Sequence, residues 1–95
     1  MKETMLWNEQ KNDQLFRRHG IRFEDVVIAL EQGDLLDNRE HPNSEKYGNQ
    51  RQLIVKINDY AVIVPYVHTA EGWFLKTLFP SRQATKYYLL TGLHS

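Results

Sequence analysis

The sequence predicts an α+β fold: two N-terminal helices, a three- to four-stranded antiparallel meander and a C-terminal helix. Three observations carry that expectation. Apolar residues recur at helical spacing early in the chain. Aliphatic runs separated by turn residues follow in the middle. A Pro80-Ser81 stop then precedes a basic helical pattern near the end. With 95 residues, 41% of them hydrophobic, there is material for one core, so residues 1–95 are read as a single domain.

Met5-Leu6-Trp7 is a short apolar run suited to an edge strand, and Asn8 behind it is a helix N-cap. Trp7, Lys11, Leu15 and Arg18 lie at helical spacing with Phe16 beside them, and Gly20 sits where a C′ glycine belongs. The first helix is therefore expected over about Glu9 to His19. Phe23, Val26, Val27 and Leu30 form the buried stripe of a second helix. Glu24 and Asp25 lie in its first turn, where the macrodipole favours negative charge, and Gly33 ends it. Residues Asp37 to Gln50 are polar and contain Pro42, Gly48 and three asparagines, which reads as a long projecting loop.

Three strands are expected next: Gln52 to Ile57, Tyr60 to Val67 and Trp73 to Phe79. Asn58-Asp59 joins the first two, and Thr69-Ala70-Glu71-Gly72 joins the second to the third. Pro65 has no N–H to donate, so it requires an edge, a bulge or a strand end. A last helix over about Arg82 to Leu90 starts behind a Ser81 cap and is limited by Gly92.

Lys and Arg number 12 and Asp and Glu number 12, so the net charge is +0, which excludes binding by bulk charge. The charges are nevertheless segregated. Glu24, Asp25, Glu31 and Asp34 fall in the first half, whereas the stretch from Lys76 to Lys86 contains no acid. Cysteine is absent, which removes disulfides, thiolate metal sites and thiol nucleophiles and suits a reducing compartment. No apolar run approaches a membrane span, and Met1-Lys2-Glu3-Thr4 lacks the apolar core of a secretory signal. A soluble cytoplasmic protein is the expectation.

The strand-to-helix junction gathers Lys76, Ser81, Arg82 and Lys86, a set of cations and a hydroxyl suited to holding a phosphate. Arg82 offers a bidentate fork that stays charged, although an arginine on an exposed first turn is also an ordinary surface residue. Lys76 alternates with Leu75 and Thr77 and so faces away from them; the ordinary alternative is a lysine on the solvent side of a sheet. Lys86 follows Arg82 at i+4 and shares its face. Candidates for proton transfer are His41, His68, Tyr47 and Tyr87, while His19 reads as part of a helix terminus and His94 as part of the tail. Trp73, Phe74, Tyr87 and Tyr88 could stack bases, though aromatic residues in a small domain serve the core first. No carboxylate pair has metal-binding spacing, so neither a metal nor another cofactor is expected.

Two segments resemble a known family. Leu6-Trp7-Asn8, Lys11 and the run Arg17-Arg18-His19-Gly20-Ile21 with Phe23-Glu24 are similar to the opening signature of the BrnT-type ribonuclease toxins of type II toxin–antitoxin pairs. Pro80-Ser81-Arg82-Gln83-Ala84-Thr85 resembles that family's C-terminal signature. Asn8 stands where the family carries an acid, Leu15 where it carries an asparagine, and Pro80 is an addition. The resemblance implies a RelE-like fold and metal-independent RNA cleavage. It also implies neutralisation by a DNA-binding antitoxin encoded adjacently. On that reading Arg82 clamps phosphate, with Lys76, His41 and Tyr87 as further catalytic candidates. Lys86, Ser81 and Tyr47 would bind RNA. The alternative is a non-catalytic RNA- or protein-binding module on the same fold.

Overall fold

A computed structural model describes residues 3–46 and 48–91, the last of these by its backbone only. Tyr47, Gly92 and His94 therefore lie outside the described residues. The order is β1 (Met5–Leu6), α1 (Glu9–His19), α2 (Phe23–Glu31), β2 (Leu35–Glu40), β3 (Gln50–Ile57), β4 (Tyr60–Thr69), β5 (Gly72–Leu75), β6 (Phe79–Pro80) and α3 (Arg82–Thr85). The last helix continues in π-helical form from Lys86 to Thr91. The α+β class is as expected. Among the described residues the sheet has six strands instead of three or four, in the order β1-β5-β4-β3-β2 with β6 also on β4. It is mixed, because β1 runs parallel to β5.

Local chemistry sets the two N-terminal helices. The Asn8 side chain accepts the Lys11 N–H at 2.9 Å, and Gly20 closes α1 at φ 71 with its N–H on the Phe16 carbonyl. Asp25 accepts the Arg22 N–H at 2.9 Å at the start of α2. The stripe on α2 is shifted from the expected one: Phe23, Val26 and Leu30 are buried, but Ala29 takes the fourth place while Val27 is only partly covered.

The polar side chain of Asn12, which the sequence did not single out, joins these helices. Its Oδ1 accepts the Phe23 N–H at 2.7 Å, and its Nδ2 donates to Glu24 Oε1 at 2.8 Å and to Glu9 Oε1 at 3.3 Å. Asn12 is 3% exposed, so these bonds replace water. Glu24, held first by Asn12 and then by backbone N–H groups, has its carboxyl below the ordinary range.

The β3–β4 hairpin turns on Asn58 at φ 54 and Asp59 at φ 60, both left-handed, as a two-residue turn that suits strand twist requires. Left-handed backbone costs a non-glycine residue about 1–2 kcal/mol, and glycine costs about 0.5–1 kcal/mol in added chain entropy. Asp59→Gly is therefore expected to stabilise the protein by about 0.5 kcal/mol, read from the denaturant midpoint at unchanged slope.

Both faces of the central strands are covered. Leu53, Val55, Val62, Val64 and Tyr66 pack beneath α1 and α2, while Ile54, Ala61 and Ile63 pack beneath Ala84 of α3. That is why β3 and β4 read as near-continuous aliphatic runs instead of alternating ones. Pro65 lies within this sheet without a bulge, paired with Gln52. Its carbonyl accepts the Lys76 N–H at 2.8 Å, so its missing N–H points to the same side, away from β3. On that side the expected strand Trp73–Phe79 is broken. It becomes β5 opposite Tyr66–Thr69 and β6 opposite Val62–Ile63, with Leu78 turned into the core between them. The proline thus sits where its neighbouring strand changes.

The expected loop Asp37–Gln50 is shorter than the sequence suggested, because its first residues belong to β2, paired antiparallel with β3. Gly72, at φ 147, lets the Thr4 carbonyl reach Trp73 N–H at 2.8 Å; a Cβ there would lie 2.3 Å from the Thr4 oxygen. Among the described residues, no helix is long and apolar enough to cross a membrane.

Candidate functional site

The start of α3 is stitched to the end of β4 that follows the hairpin. Ser81 N–H donates to the Ala61 carbonyl at 2.9 Å, and Ala61 N–H donates to Thr85 Oγ1 at 2.8 Å. The Thr85 hydroxyl in turn donates to the Ser81 carbonyl at 2.7 Å. Ser81 Oγ caps the helix by accepting Ala84 N–H at 3.0 Å. Beyond Thr85 the helix widens to the π form, consistent with a hydroxyl competing for the i−4 carbonyl in the preceding turn.

This stitching leaves a concavity of about 410 Å³ between the last helix and β2. Arg39, Ile63, Ser81, Gln83, Tyr87 and Tyr88 line it, with Pro42 at the loop end. Tyr87 and Tyr88 diverge as adjacent helical residues must. Tyr87 is 67% exposed, whereas the Tyr88 hydroxyl turns in to donate to Asp37 Oδ2 at 2.5 Å. Burial first, then the Asp37 bond and charge, push the Tyr88 hydroxyl above the usual tyrosine range, with Arg39 pulling the other way. It therefore keeps its proton at neutral pH. Arg39 donates from Nε to Gln52 Oε1 at 2.9 Å, so its Nη groups are the part of the fork not spent on Gln52.

The sequence candidates divide around this wall. Ser81 and Tyr87 are on it. Arg82 and Lys86 are exposed and outside it, as is Lys76, whose backbone is tied to Pro65. The arginine in the concavity is Arg39, not Arg82. Its signal was hidden in a stretch too polar to read as a strand. His41 is half-buried beside Pro42, and its Nδ1 accepts the Asn43 N–H at 3.0 Å, which places the proton of the neutral ring on Nε2. His68 is exposed and leans on Trp73, with ring centres 5.1 Å apart.

Trp73 is not available for stacking a base. It is 8% exposed and stacks on Tyr66 at 4.6 Å inside the core. His19 has its pKa lowered, by burial first and then by Arg18, so its charge is not a stabilising feature of the α1 terminus. Among the described residues, no group of three or more His, Asp and Glu side chains is placed to hold a metal ion.

A second groove of about 250 Å³, with Met5, Trp7, Val27 and Leu30 between Glu3 and Glu31, has no cation and offers nothing to a phosphate. A third, of about 320 Å³, places Lys56 among Asp25, Asp34 and Asp59. Of these three concavities among the described residues, the one holding Arg39 has chemistry suited to an anion. No family model, no curated protein and no solved structure matches the chain.

Proposed function

We propose that this protein binds single-stranded RNA at the Arg39 concavity and cleaves it without metal, as the toxin component of a type II toxin–antitoxin pair. The observation that carries the RNA reading is the meeting of the Arg39 guanidinium, the Ser81 hydroxyl and the exposed Tyr87 ring on one wall. Arg82 and Lys86 extend cationic character along the same helix. A guanidinium holds a phosphate, an exposed ring stacks a base, and the volume is that of a small-ligand site. Cleavage and the antitoxin rest on the sequence resemblance. Within them His41, beside Pro42 at the edge of the concavity, is the proton-transfer group, and Arg82 and Lys76 steer the phosphate chain.

One observation favours the non-catalytic binding module as a second reading. The inward hydroxyl of Tyr88 is committed to Asp37 and is a poor acid. The test is incubation of end-labelled single-stranded RNA with purified protein in EDTA, with binding followed by anisotropy at low and moderate salt. The expected result is cleavage, with binding about 10-fold weaker in Arg39→Ala, since a charge-assisted phosphate contact contributes about 1.5–3 kcal/mol. Arg82→Ala is expected to remove cleavage. Binding without cleavage selects the RNA-binding module, and absence of both at low salt rejects RNA as the ligand of this concavity. Co-expression with an adjacently encoded DNA-binding protein is expected to restore growth if the toxin reading holds.

A further inference from the structure

Among the described residues β2 is the outer strand of the sheet, paired on one side to β3. The phase of the ladder tells which of its backbone groups face outward. Lys56 N–H donates to the Asp34 carbonyl, and His41 N–H to the Gln50 carbonyl, so even-numbered β3 residues bond toward β2. Their register partners Asp37 and Arg39 therefore face β3, and the N–H and C=O of Asn38 and Glu40 point to the open edge. Such an edge is a template for another strand.

At its centre that template is closed. Asn38 N–H donates to Asp37 Oδ1 at 2.8 Å, and the Asn38 carbonyl accepts from Arg51 Nη2 at 3.1 Å. Both caps are anchored elsewhere. The second oxygen of Asp37 holds Tyr88 of the last helix. Arg51 Nε donates to Asn38 Oδ1 at 3.1 Å, and that same oxygen accepts the hydroxyl of the buried Tyr66 at 3.0 Å. One edge residue thus has its outward donor and its outward acceptor covered by side chains tied to the core and to the last helix.

We propose that β2 is a guarded dimerisation edge whose occupant, once the guard is released, is β2 of a second copy of this chain. Charge and hydrogen-bond phase both select the register. With Asn38 opposite Asn38 of the second copy, the outward groups of Asn38 meet as a reciprocally bonded pair, and those of Glu40 lie opposite Leu36, the residue at which the β2–β3 register shifts. In that register Asp37 stands opposite Arg39 of the second copy, and Arg39 opposite Asp37, on the same face of the joined sheet. The isologous contact is closed by a two-fold axis. Asp37 exchanges its bond to Asn38 N–H for the guanidinium of the second copy. The position of the last helix, which holds Asp37 through Tyr88, therefore controls whether the edge is open. The proposed contact rests on the β2 edge and not on RNA binding, although Arg39 and Tyr88 also line the concavity.

The experiment compares wild type with the double variant Arg51→Met/Tyr88→Phe by sedimentation velocity across about a hundredfold range of concentration. Wild type is expected to stay monomeric and the double variant to dimerise. Adding Glu40→Pro removes two outward donors from the joined edge, one per copy, without touching the β3 ladder, and is expected to return the variant to monomer. A folded double variant that stays monomeric overturns the proposal, as does a dimer indifferent to Glu40→Pro. Should the double variant unfold, amide hydrogen exchange of the native chain decides. Asn38 N–H, though on an open edge, is expected to be protected at least about 10-fold over Glu40 N–H and to lose that protection in Asp37→Ala. Equal exchange of the two amides in wild type overturns the guard.

Discussion

Asn12→Ala is expected to cost about 3 kcal/mol of folding stability, because it leaves the buried Phe23 N–H without an acceptor and frees Glu24 and Glu9 from their shared donor. For a domain of this size that lowers the melting temperature by about 12–24 °C. The acid limb should change as well. Glu24 has a lowered carboxyl pKa in the folded state, so its stabilisation is present above the unfolded value and is lost as pH falls through the folded one. Since Asn12 is the largest cause of that shift, the variant is expected to show a shallower loss of stability on acidification. Asn12→Asp keeps an acceptor for Phe23 but sets a carboxylate between two others. Its defect should be severe at neutral pH and ease as the carboxylates protonate. Thermal melts across the acid range check all three statements. A cost below about 1 kcal/mol for Asn12→Ala would show that water replaces the side chain.

Thr85→Val is expected to destabilise the protein by about 2 kcal/mol. The change conserves shape but leaves Ala61 N–H, buried under α3, with no partner, and an unmade buried hydrogen bond costs about 1–3 kcal/mol. Thr85→Ser keeps the hydroxyl and should recover most of the loss. The damage is expected at the seam between α3 and β4, so exchange of the Ala61 and Ser81 amides should rise more than that of Val62 or Val64. Uniform acceleration of all these amides would mean that the seam melts only with the whole fold. Wild-type-like stability in Thr85→Val would mean that Ala61 N–H has another route to satisfaction.

Features that act over a few residues were legible in the sequence. The Asn8 cap, the Gly20 terminus, the bounds of α1, the Asn58-Asp59 turn and the Ser81 cap stand where their spacing predicted. Each depends on a hydrogen bond or a backbone conformation set within one turn of chain. β2 was not legible. Leu-Leu-Asp-Asn-Arg-Glu lacks the alternation of a half-buried strand, and its polar side chains are satisfied by Gln52, Arg51, Tyr66 and Tyr88, all distant in sequence. The break between β5 and β6 was hidden for a similar reason, since it falls opposite Pro65, which has no N–H to offer the neighbouring strand.

The candidate site divides along the same line. Ser81 and Tyr87 could be named because they follow a helix start that the chain announces. Arg39 could not, because its place on the same wall depends on a pairing register thirteen residues away at Gln52.

By itself, then, the sequence determined the α+β class, the starts of the helices, the end of α1 and the hairpin turn. These rest on short-range bonds that neighbouring residues make alone. Only the tertiary structure decided that the sheet is mixed and six-stranded, that Arg39 and not Arg82 enters the concavity, and that Asn12 and Thr85 are buried as connectors. A polar side chain becomes a connector when remote backbone is left short of a partner, and that shortage exists only once the layers have packed.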